Sequence, residues 1–131
     1  MKVYVASKYQ ERETIRELYD ILRSHGHEIT VDWTNHDVFP DDAEEEKLGE
    51  FACDDVRGVQ ECDSMIIYMV NEHQYKGAWV EMGVALALNK PVFVLGNAGD
   101  SCIFMNHSLV RKYICFVKLL EYLEYLEENN E

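Results

Sequence analysis

Basic residues are scarce in this sequence. It contains 12 Lys and Arg against 25 Asp and Glu in 131 residues, which gives a formal net charge of −13. Proteins bind nucleic-acid backbones and anionic membrane surfaces through surfaces rich in Lys and Arg. The charge balance therefore argues against a nucleic-acid polymer and against a membrane as partner. It still permits a small ligand, because a few local donors can hold even an anionic one.

Features of membrane insertion, secretion and metal binding are also missing. No apolar run approaches the ~20 residues of a membrane span, and the opening Met1–Ala6 is too short for the apolar core of a secretory signal. The four cysteines, Cys53, Cys62, Cys102 and Cys115, form no Cys-x-x-Cys pair, and the histidines lack metal-ligand spacing. We therefore expect a cytoplasmic protein with free thiols that needs neither a metal nor a cofactor.

Short apolar segments alternate with amphipathic ones along the chain. Five segments have the composition of strands, and three others have the spacing of helices with an apolar stripe. The stretch Gly77–Pro91 reads as a helix that is apolar almost all round, and Asn97–Ser108 reads as irregular. The predicted strands are Lys2–Ala6, His27–Asp32, Ser64–Val70, Pro91–Gly96 and Tyr113–Val117. The predicted helices are Glu11–Ser24, Glu50–Cys62, the Gly77–Pro91 stretch and Lys118–Glu128. This pattern predicts one α/β domain over residues 1–131, a doubly wound flavodoxin-like sandwich whose five parallel strands lie in the order 2-1-3-4-5.

The segment Trp33–Gly49 interrupts the alternation. Turn-forming residues and a run of acids fill it, which is typical of a solvated loop, and loops of this length are also where lids occur. Trp33, at the end of the second strand, is either a core residue or a platform on which a base could stack. The sequence leaves both interpretations open.

A ligand crevice is expected at one edge of the sheet. In open parallel sheets, ligands bind beyond the carboxyl ends of the strands where the strand order reverses, here between strands one and three. This rule places Tyr4–Lys8, Asn71–Glu81 and Gly96–Asp100 around one crevice. The turn after the first strand lacks the Gly-x-Gly-x-x-Gly fingerprint of dinucleotide sites. Its Ser7 and Lys8 either hold an anion near a helix start or, in the case of Ser7, only cap the turn.

One carboxylate, Glu81, lies in the otherwise apolar stretch Gly77–Pro91. Buried Glu is rare unless it is paired or functional. We expect it in the first turn of the helix, where the macrodipole would keep it ionised. Such a carboxylate is suited to be a nucleophile or an electrostatic stabiliser, and the alternative is that it only neutralises the start of the helix.

Several motifs together resemble the nucleoside 2-deoxyribosyltransferase-like superfamily. They are the first strand Met1–Ser7, Trp33, the pair Asp54-Asp55, Cys62-Asp63 before the third strand, and Gly77-x-x-x-Glu81-x-Gly83-x-Ala85-x-Ala87-x-x-Lys90-Pro91-Val92. This superfamily includes deoxyribosyltransferases and 2′-deoxynucleoside 5′-phosphate N-hydrolases. The resemblance extends from the first strand to about Ser108, and the block around Glu81 is its most specific part.

The resemblance implies roles for three catalytic candidates, Glu81, Asp55 and Tyr4. Glu81 would attack the anomeric carbon of a nucleoside and displace the base, through a covalent sugar–enzyme ester. Asp55 would hydrogen-bond the base or protonate it as it leaves, although a shift of one residue in the helix would exchange it with Asp54. Tyr4 would position the nucleophile.

The resemblance also suggests how the substrate is held. Ser7, with Lys8, matches a turn that holds the 5′-phosphate in the hydrolases. Transferases often carry an Asp six residues before the nucleophile, and Tyr75 followed by Lys76 stands there instead, which favours an anionic substrate. The segment around Asn106 resembles one that completes the neighbour's site in family dimers, so we expect a homodimer or a higher homo-oligomer. The candidate substrate-binding residues are Ser7, Lys8, Trp33, Tyr75, Lys76, Gly77, Asn106 and Ser108.

The sequence therefore favours an enzyme that cleaves or exchanges the N-glycosidic bond of a nucleoside or nucleoside 5′-monophosphate. Hydrolysis and transfer remain equally open, as does the identity of the base. A non-catalytic module of the same fold that senses a nucleotide is the second hypothesis. A structural domain whose acidic face meets a basic partner is the third.

Overall fold

Five parallel strands form one sheet in the order β2-β1-β3-β4-β5, which confirms the predicted topology. A computed structural model describes residues 1–36, 44–70, 75–98 and 101–129. The two central strands are almost fully buried because helices cover both faces of the sheet. The strands are β1 (Lys2–Ala6), β2 (Glu28–Ile29), β3 (Ser64–Tyr68), β4 (Val92–Leu95) and β5 (Val110–Tyr113).

In the part of the chain that the structure describes, four α-helices flank the sheet: α1 (Arg12–Ser24), α2 (Glu45–Glu61), α3 (Lys76–Ala87) and α4 (Phe116–Asn129). The end of α1 meets α4, where the imidazole of His25 lies 3.9 Å from the carboxylate of Glu124. Helices α2 and α3 pack against each other and against β1. The right-handed crossovers of a parallel sheet place the α1–α4 pair and the α2–α3 pair on opposite faces.

Most predicted elements differ from the structure in their bounds. Strand β2 is only Glu28–Ile29, within the predicted His27–Asp32, and helix α3 ends at Ala87, before the predicted Pro91. Helix α2 begins at Glu45 rather than Glu50, and two acids in its first turn favour this start through the helix dipole. The last strand is Val110–Tyr113 rather than Tyr113–Val117. The apolar residues after Tyr113 do not form a strand, since Ile114 is 97% exposed and α4 begins at Phe116.

The structure also differs from the prediction in the segments expected to be loops. A 3-10 turn covers Trp33–Asn35, and residues 37–43 of the predicted acidic loop lie outside the described residues. Residues 71–74, before α3, lie outside them as well, while Lys76 already belongs to the helix. Another 3-10 turn, Ile103–Asn106, interrupts the segment that was predicted to be irregular.

Gly58 allows α2 to approach the sheet closely. A β-carbon at this position would lie 2.8 Å from Cγ2 of Val31 and 3.0 Å from Cδ1 of Tyr4, closer than side chains normally approach. Asp55 lies three residues earlier, almost one turn away on the same helix. The glycine therefore brings Asp55 close to the end of β1.

Candidate active site

A cavity of about 1070 Å³ opens at the carboxyl ends of β1 and β3. This is the strand-order reversal at which doubly wound folds bind their ligands, and the volume is sufficient for a nucleoside. The turn after β1, the segment after β2, helix α2 and the start of α3 form its walls. Its lining residues are Tyr4, Ser7, Lys8, Tyr9, Gln10, Glu11, Trp33, His36, Leu48, Phe51, Ala52, Asp55, Val56, Tyr75, Lys76, Gly77, Val80 and Glu81.

Glu81 lies in the cavity wall with its side chain largely withdrawn from solvent. The residue is 8% exposed, and the hydroxyl of Tyr4 donates a hydrogen bond to its carboxylate. Tyr4 is itself fixed in the core, since it comes from the centre of β1 and is 1% exposed. Gly77, one turn earlier in α3, leaves space beside the carboxylate, because a β-carbon there would lie 3.8 Å from Oε1.

The pKa of Glu81 is raised to about 8, which corrects the expectation of a carboxylate kept ionised by the helix dipole. Burial is the largest cause of the increase, the hydrogen bond from Tyr4 opposes it, and the nearby charge of Asp55 adds to it. Glu81 is the sixth residue of α3 and so lies in its second turn, where the effect of the dipole has weakened. Desolvation therefore outweighs the helix dipole.

Asp55, rather than Asp54, faces the cavity. The carboxylate of Asp54 points away and accepts a hydrogen bond from Arg57 at 2.9 Å. Oδ1 of Asp55 is buried without a hydrogen-bond partner among the described residues. Burial, followed by the charge of Asp54, raises the pKa of Asp55 to about 7. A buried polar atom without a partner in a cavity wall is available to a ligand.

An ion pair occupies the wall formed by the turn after β1. Nζ of Lys8 lies 3.6 Å from Oε1 of Glu11 and 5.4 Å from the centre of the Tyr75 ring. The hydroxyl of Ser7 donates a hydrogen bond to the carbonyl of Tyr68 at 3.1 Å, so it connects the ends of β1 and β3. Polar and charged groups therefore form this wall.

Trp33 combines the two roles that the sequence left open. Its indole N–H donates a hydrogen bond to the carbonyl of Val5 at 2.6 Å, and the residue is 6% exposed, so it belongs to the core. It also lines the cavity. At the mouth, the rings of His36 and Phe51 stack in parallel with their centres 3.7 Å apart.

The cavity brings together nine of the eleven predicted site residues and leaves out two. Asn106 and Ser108 are exposed and do not line it. The turn that contains Asn106 instead borders a second groove, where Phe104 and His107 face α3. The segment Gly96–Asp100, predicted to border the crevice, has no described residue in its lining.

Glu11, His36 and Phe51 are three of the nine described lining residues that were not among the predicted site residues. Glu11 had a signal, because it stands three residues after Lys8, a spacing at which opposite charges meet in helical turns. His36 and Phe51 are separated by the residues read as a loop, and only the tertiary structure brings their rings together.

Residues 1–36, 44–70, 75–98 and 101–129 contain neither a metal-ligand cluster nor a helix that could span a membrane. No cluster of three or more His, Cys, Asp and Glu side chains in these ranges has an arrangement suited to a metal ion. None of the helices they form has the length and apolarity to cross a membrane.

Two solved structures share the fold of this protein. The structure is similar to a 2-deoxyribosyltransferase from the psychrotolerant bacterium Bacillus psychrosaccharolyticus, with a TM-score of 0.72 and 18% identity over 91% of this chain and 90% of that one. It is also similar to a CMP N-glycosidase from Clostridium botulinum, with a TM-score of 0.59 and 19% identity over 95% of this chain and 99% of that one. These likenesses show a shared fold.

The sequence itself carries the family signal. No curated protein sequence is significantly similar to this chain. The family model described as nucleoside 2-deoxyribosyltransferase, however, matches residues 3–114, which is most of the chain. The chain therefore belongs to the nucleoside 2-deoxyribosyltransferase family.

Proposed function

We propose that this protein is an enzyme that cleaves the N-glycosidic bond of a nucleoside or nucleoside 5′-monophosphate, with Glu81 as nucleophile. The observation that carries the proposal is the buried Glu81 carboxylate, held by the Tyr4 hydroxyl inside a cavity that also contains Asp55. Two carboxyl groups, one as nucleophile and one as general acid and base, are the groups that retaining glycosyl transfer commonly uses. Membership of the family supports the choice of nucleoside chemistry.

The first step is a displacement at the anomeric carbon. A carboxylate oxygen of Glu81 bonds to C1′ while the C1′–N bond breaks, and the electron pair of that bond goes to the base. The carboxyl of Asp55 donates its proton, or a hydrogen bond, to the leaving base. The products are the free base and a sugar joined to Glu81 through an ester.

The second step regenerates the enzyme. Another base, or a water molecule, attacks C1′ from the face opposite Glu81, the ester C–O bond breaks, and Glu81 leaves as a carboxylate. The proton that the incoming water or base loses goes to the carboxylate of Asp55, which restores its protonated form. Attack by a base is transfer, and attack by water is hydrolysis. Two inversions at C1′ give overall retention of configuration.

The two acids together can hold the single proton that these steps require. Their pKa values, about 8 for Glu81 and about 7 for Asp55, leave the pair holding roughly one proton between pH 7 and pH 8. The chemistry requires one ionised and one protonated carboxyl. Tyr4 favours an ionised Glu81, because its hydroxyl donates to the carboxylate and lowers that pKa.

We further propose that the protein works as a homodimer or higher oligomer in which Asn106 and Ser108 reach the site of a neighbouring subunit. Both residues are exposed and lie outside the cavity of their own chain. In the same turn, Ile103 is 76% exposed and Phe104 is 57% exposed, which is typical of a surface that another chain covers. Light scattering coupled to gel filtration would test the oligomeric state.

A base-release assay tests the reaction. The protein is incubated with 2′-deoxynucleosides, ribonucleosides and their 5′-monophosphates, and free base is measured by chromatography. We expect release that is lost in Glu81→Ala and retained in Glu61→Ala, an exposed acid on α2. Exchange of an added labelled base into nucleoside would identify transfer, and release of free sugar would identify hydrolysis. Thermal stabilisation by a ligand without release would instead support a sensor.

A further inference from the structure

The ammonium of Lys8 already has a partner inside the cavity. It lies 3.6 Å from the carboxylate of Glu11, and the two side chains are only 11% and 13% exposed. The ring of Tyr75 covers it at 5.4 Å from ring centre to Nζ. The positive charge that was predicted to bind a phosphate is therefore balanced by an acid of the same wall.

Capping of α1 does not account for the position of Glu11. This residue directly precedes α1, where a side chain often caps the helix, but its side chain makes no capping hydrogen bond. Its carboxylate instead lies beside Lys8 and lines the cavity. The ion pair thus belongs to the ligand-binding wall.

The charges of the cavity lining do not favour a phosphate. Among the described lining residues, Glu11 and the pair of Asp55 and Glu81, which shares about one proton between pH 7 and pH 8, carry about two negative charges, and Lys8 and Lys76 carry two positive ones. Phosphate sites in proteins depend on an excess of Arg, Lys or backbone N–H donors. A dianion placed beside Glu11 would also meet like-charge repulsion, which is stronger in a partly desolvated cavity than in water. A hydroxyl group is neutral and can both donate to the Glu11 carboxylate and accept from the Lys8 ammonium.

We propose that the enzyme acts on nucleosides with a free 5′-hydroxyl and that Glu11 excludes 5′-monophosphates. This inference rests on the proposed function. With C1′ at Glu81 and the base beside Asp55, the rest of the sugar extends toward the turn after β1 and the start of α3. Lys8 then keeps Glu11 in place and contacts the 5′-hydroxyl, instead of binding a phosphate.

Matched substitutions test this assignment. The kcat/KM for base release is measured with four 2′-deoxynucleosides and with their 5′-monophosphates, for the wild type, Glu11→Gln and Glu13→Gln. Glu13 is an exposed acid in the first turn of α1 and does not line the cavity. Loss of the competing carboxylate should raise the ratio of monophosphate to nucleoside kcat/KM by about tenfold in Glu11→Gln, the size of one hydrogen bond to a charged group. Glu11→Ala should act in the same direction, and thermal melting would verify that each variant folds.

The possible outcomes separate the inference from the proposed function. A wild type that prefers nucleosides, with a ratio that changes in Glu11→Gln but not in Glu13→Gln, supports the inference. A wild type that prefers monophosphates, or equal changes in the two variants, overturns it while the proposed function stands. Absence of base release from every substrate would contradict the proposed function. Calorimetric titration of the same ligands would then decide the inference, since tighter binding of monophosphates would refute it and tighter binding of nucleosides would support it.

Discussion

Replacement of Tyr4 by Phe should alter the pH profile of base release in a specific way. The change removes only the hydroxyl that donates to Glu81, and this hydrogen bond lowers the pKa of that carboxyl. A hydrogen bond to a charged group contributes about 1.5–3 kcal/mol, and one pKa unit corresponds to about 1.4 kcal/mol. The pKa of Glu81 should therefore rise by about one to two units in the variant.

The wild-type profile follows from the two raised pKa values. Below about pH 7 both Glu81 and Asp55 are protonated, and above about pH 8 both are ionised, so activity should fall on both sides. The first proton to leave comes mainly from Asp55, whose pKa is lower. The productive form, with Glu81 ionised and Asp55 protonated, is therefore the less populated arrangement of the single proton.

Tyr4→Phe should make this productive form rarer. With the pKa of Glu81 one to two units higher, the maximum of kcat/KM should fall by about tenfold to a hundredfold. The alkaline limb should move upward by about the same one to two units, because complete ionisation is delayed. The acid limb should stay near pH 7, because Asp55 still sets it.

The assay is kcat/KM for base release from about pH 5 to about pH 10, which reports the ionisations of the free enzyme. Tyr125→Phe, at a residue that is 56% exposed, is the control and should retain the wild-type profile. Titration of the Glu81 carboxyl by carbon-13 NMR would measure its pKa directly. A lower maximum with an unmoved alkaline limb would show that Tyr4 only supports the structure, and a shift of the acid limb would refute the order of the two pKa values.

Three further predictions concern the site and the structure that supports it. Asp55→Asn should lower kcat for base release by about 10²–10⁴-fold, the usual contribution of a general acid, whereas Asp54→Asn should keep most of the activity; equal losses in steady-state kinetics would contradict the assignment of Asp55. Gly58→Ala should destabilise the protein by about 1–3 kcal/mol through overpacking, because its β-carbon would lie 2.8 Å from the nearest side-chain atom. Gly49→Ala, in the same helix with no atom within 4 Å of the new carbon, should stabilise the protein by about 0.5–1 kcal/mol. If urea unfolding gave similar free energies of unfolding for the two variants, α2 would not approach the sheet closely at Gly58. Glu81→Gln should raise the free energy of unfolding more at pH 8 than at pH 5, by about 1–3 kcal/mol at the higher pH. Folding raises the pKa of Glu81 from 4.5 to about 8, so the folded protein binds this proton more tightly than the unfolded chain does. The stability of the wild type therefore falls as the pH rises through this range. If calorimetry showed that Glu81→Gln stabilises the protein equally at both pH values, this linkage would be refuted.

The topology of the fold could be predicted because strong local patterns define it. Continuous apolar runs such as Ser64–Tyr68 mark central parallel strands, and alternation with helices then restricts the strand order. The prediction of the edge strand β5 was wrong because it also relied on an apolar run. Val110–Tyr113 carries two exposed basic residues and lacks an apolar run, whereas Ile114–Val117 is apolar in sequence but leads into α4, which begins at Phe116.

The centre of the site could be predicted, but its charge state and much of its wall could not. Glu81 stands out as a lone acid in an apolar helix, and the strand-order rule places it at the crevice. Its protonation depends on burial and on a contact with Tyr4, which is 77 residues away in sequence. The choice between Asp54 and Asp55 required the rotation of α2, which sequence spacing leaves uncertain by one residue.

The most direct test of the account is to trap the sugar on Glu81. The enzyme would be mixed with a turned-over 2′-deoxynucleoside, quenched in acid within milliseconds and analysed by intact-protein and peptide mass spectrometry. We expect a mass increase of one deoxyribosyl group on the peptide that contains Glu81, and no increase in Glu81→Ala. A sugar attached to another residue, or base release that continues undiminished in Glu81→Ala, would contradict the assignment of Glu81 as the nucleophile.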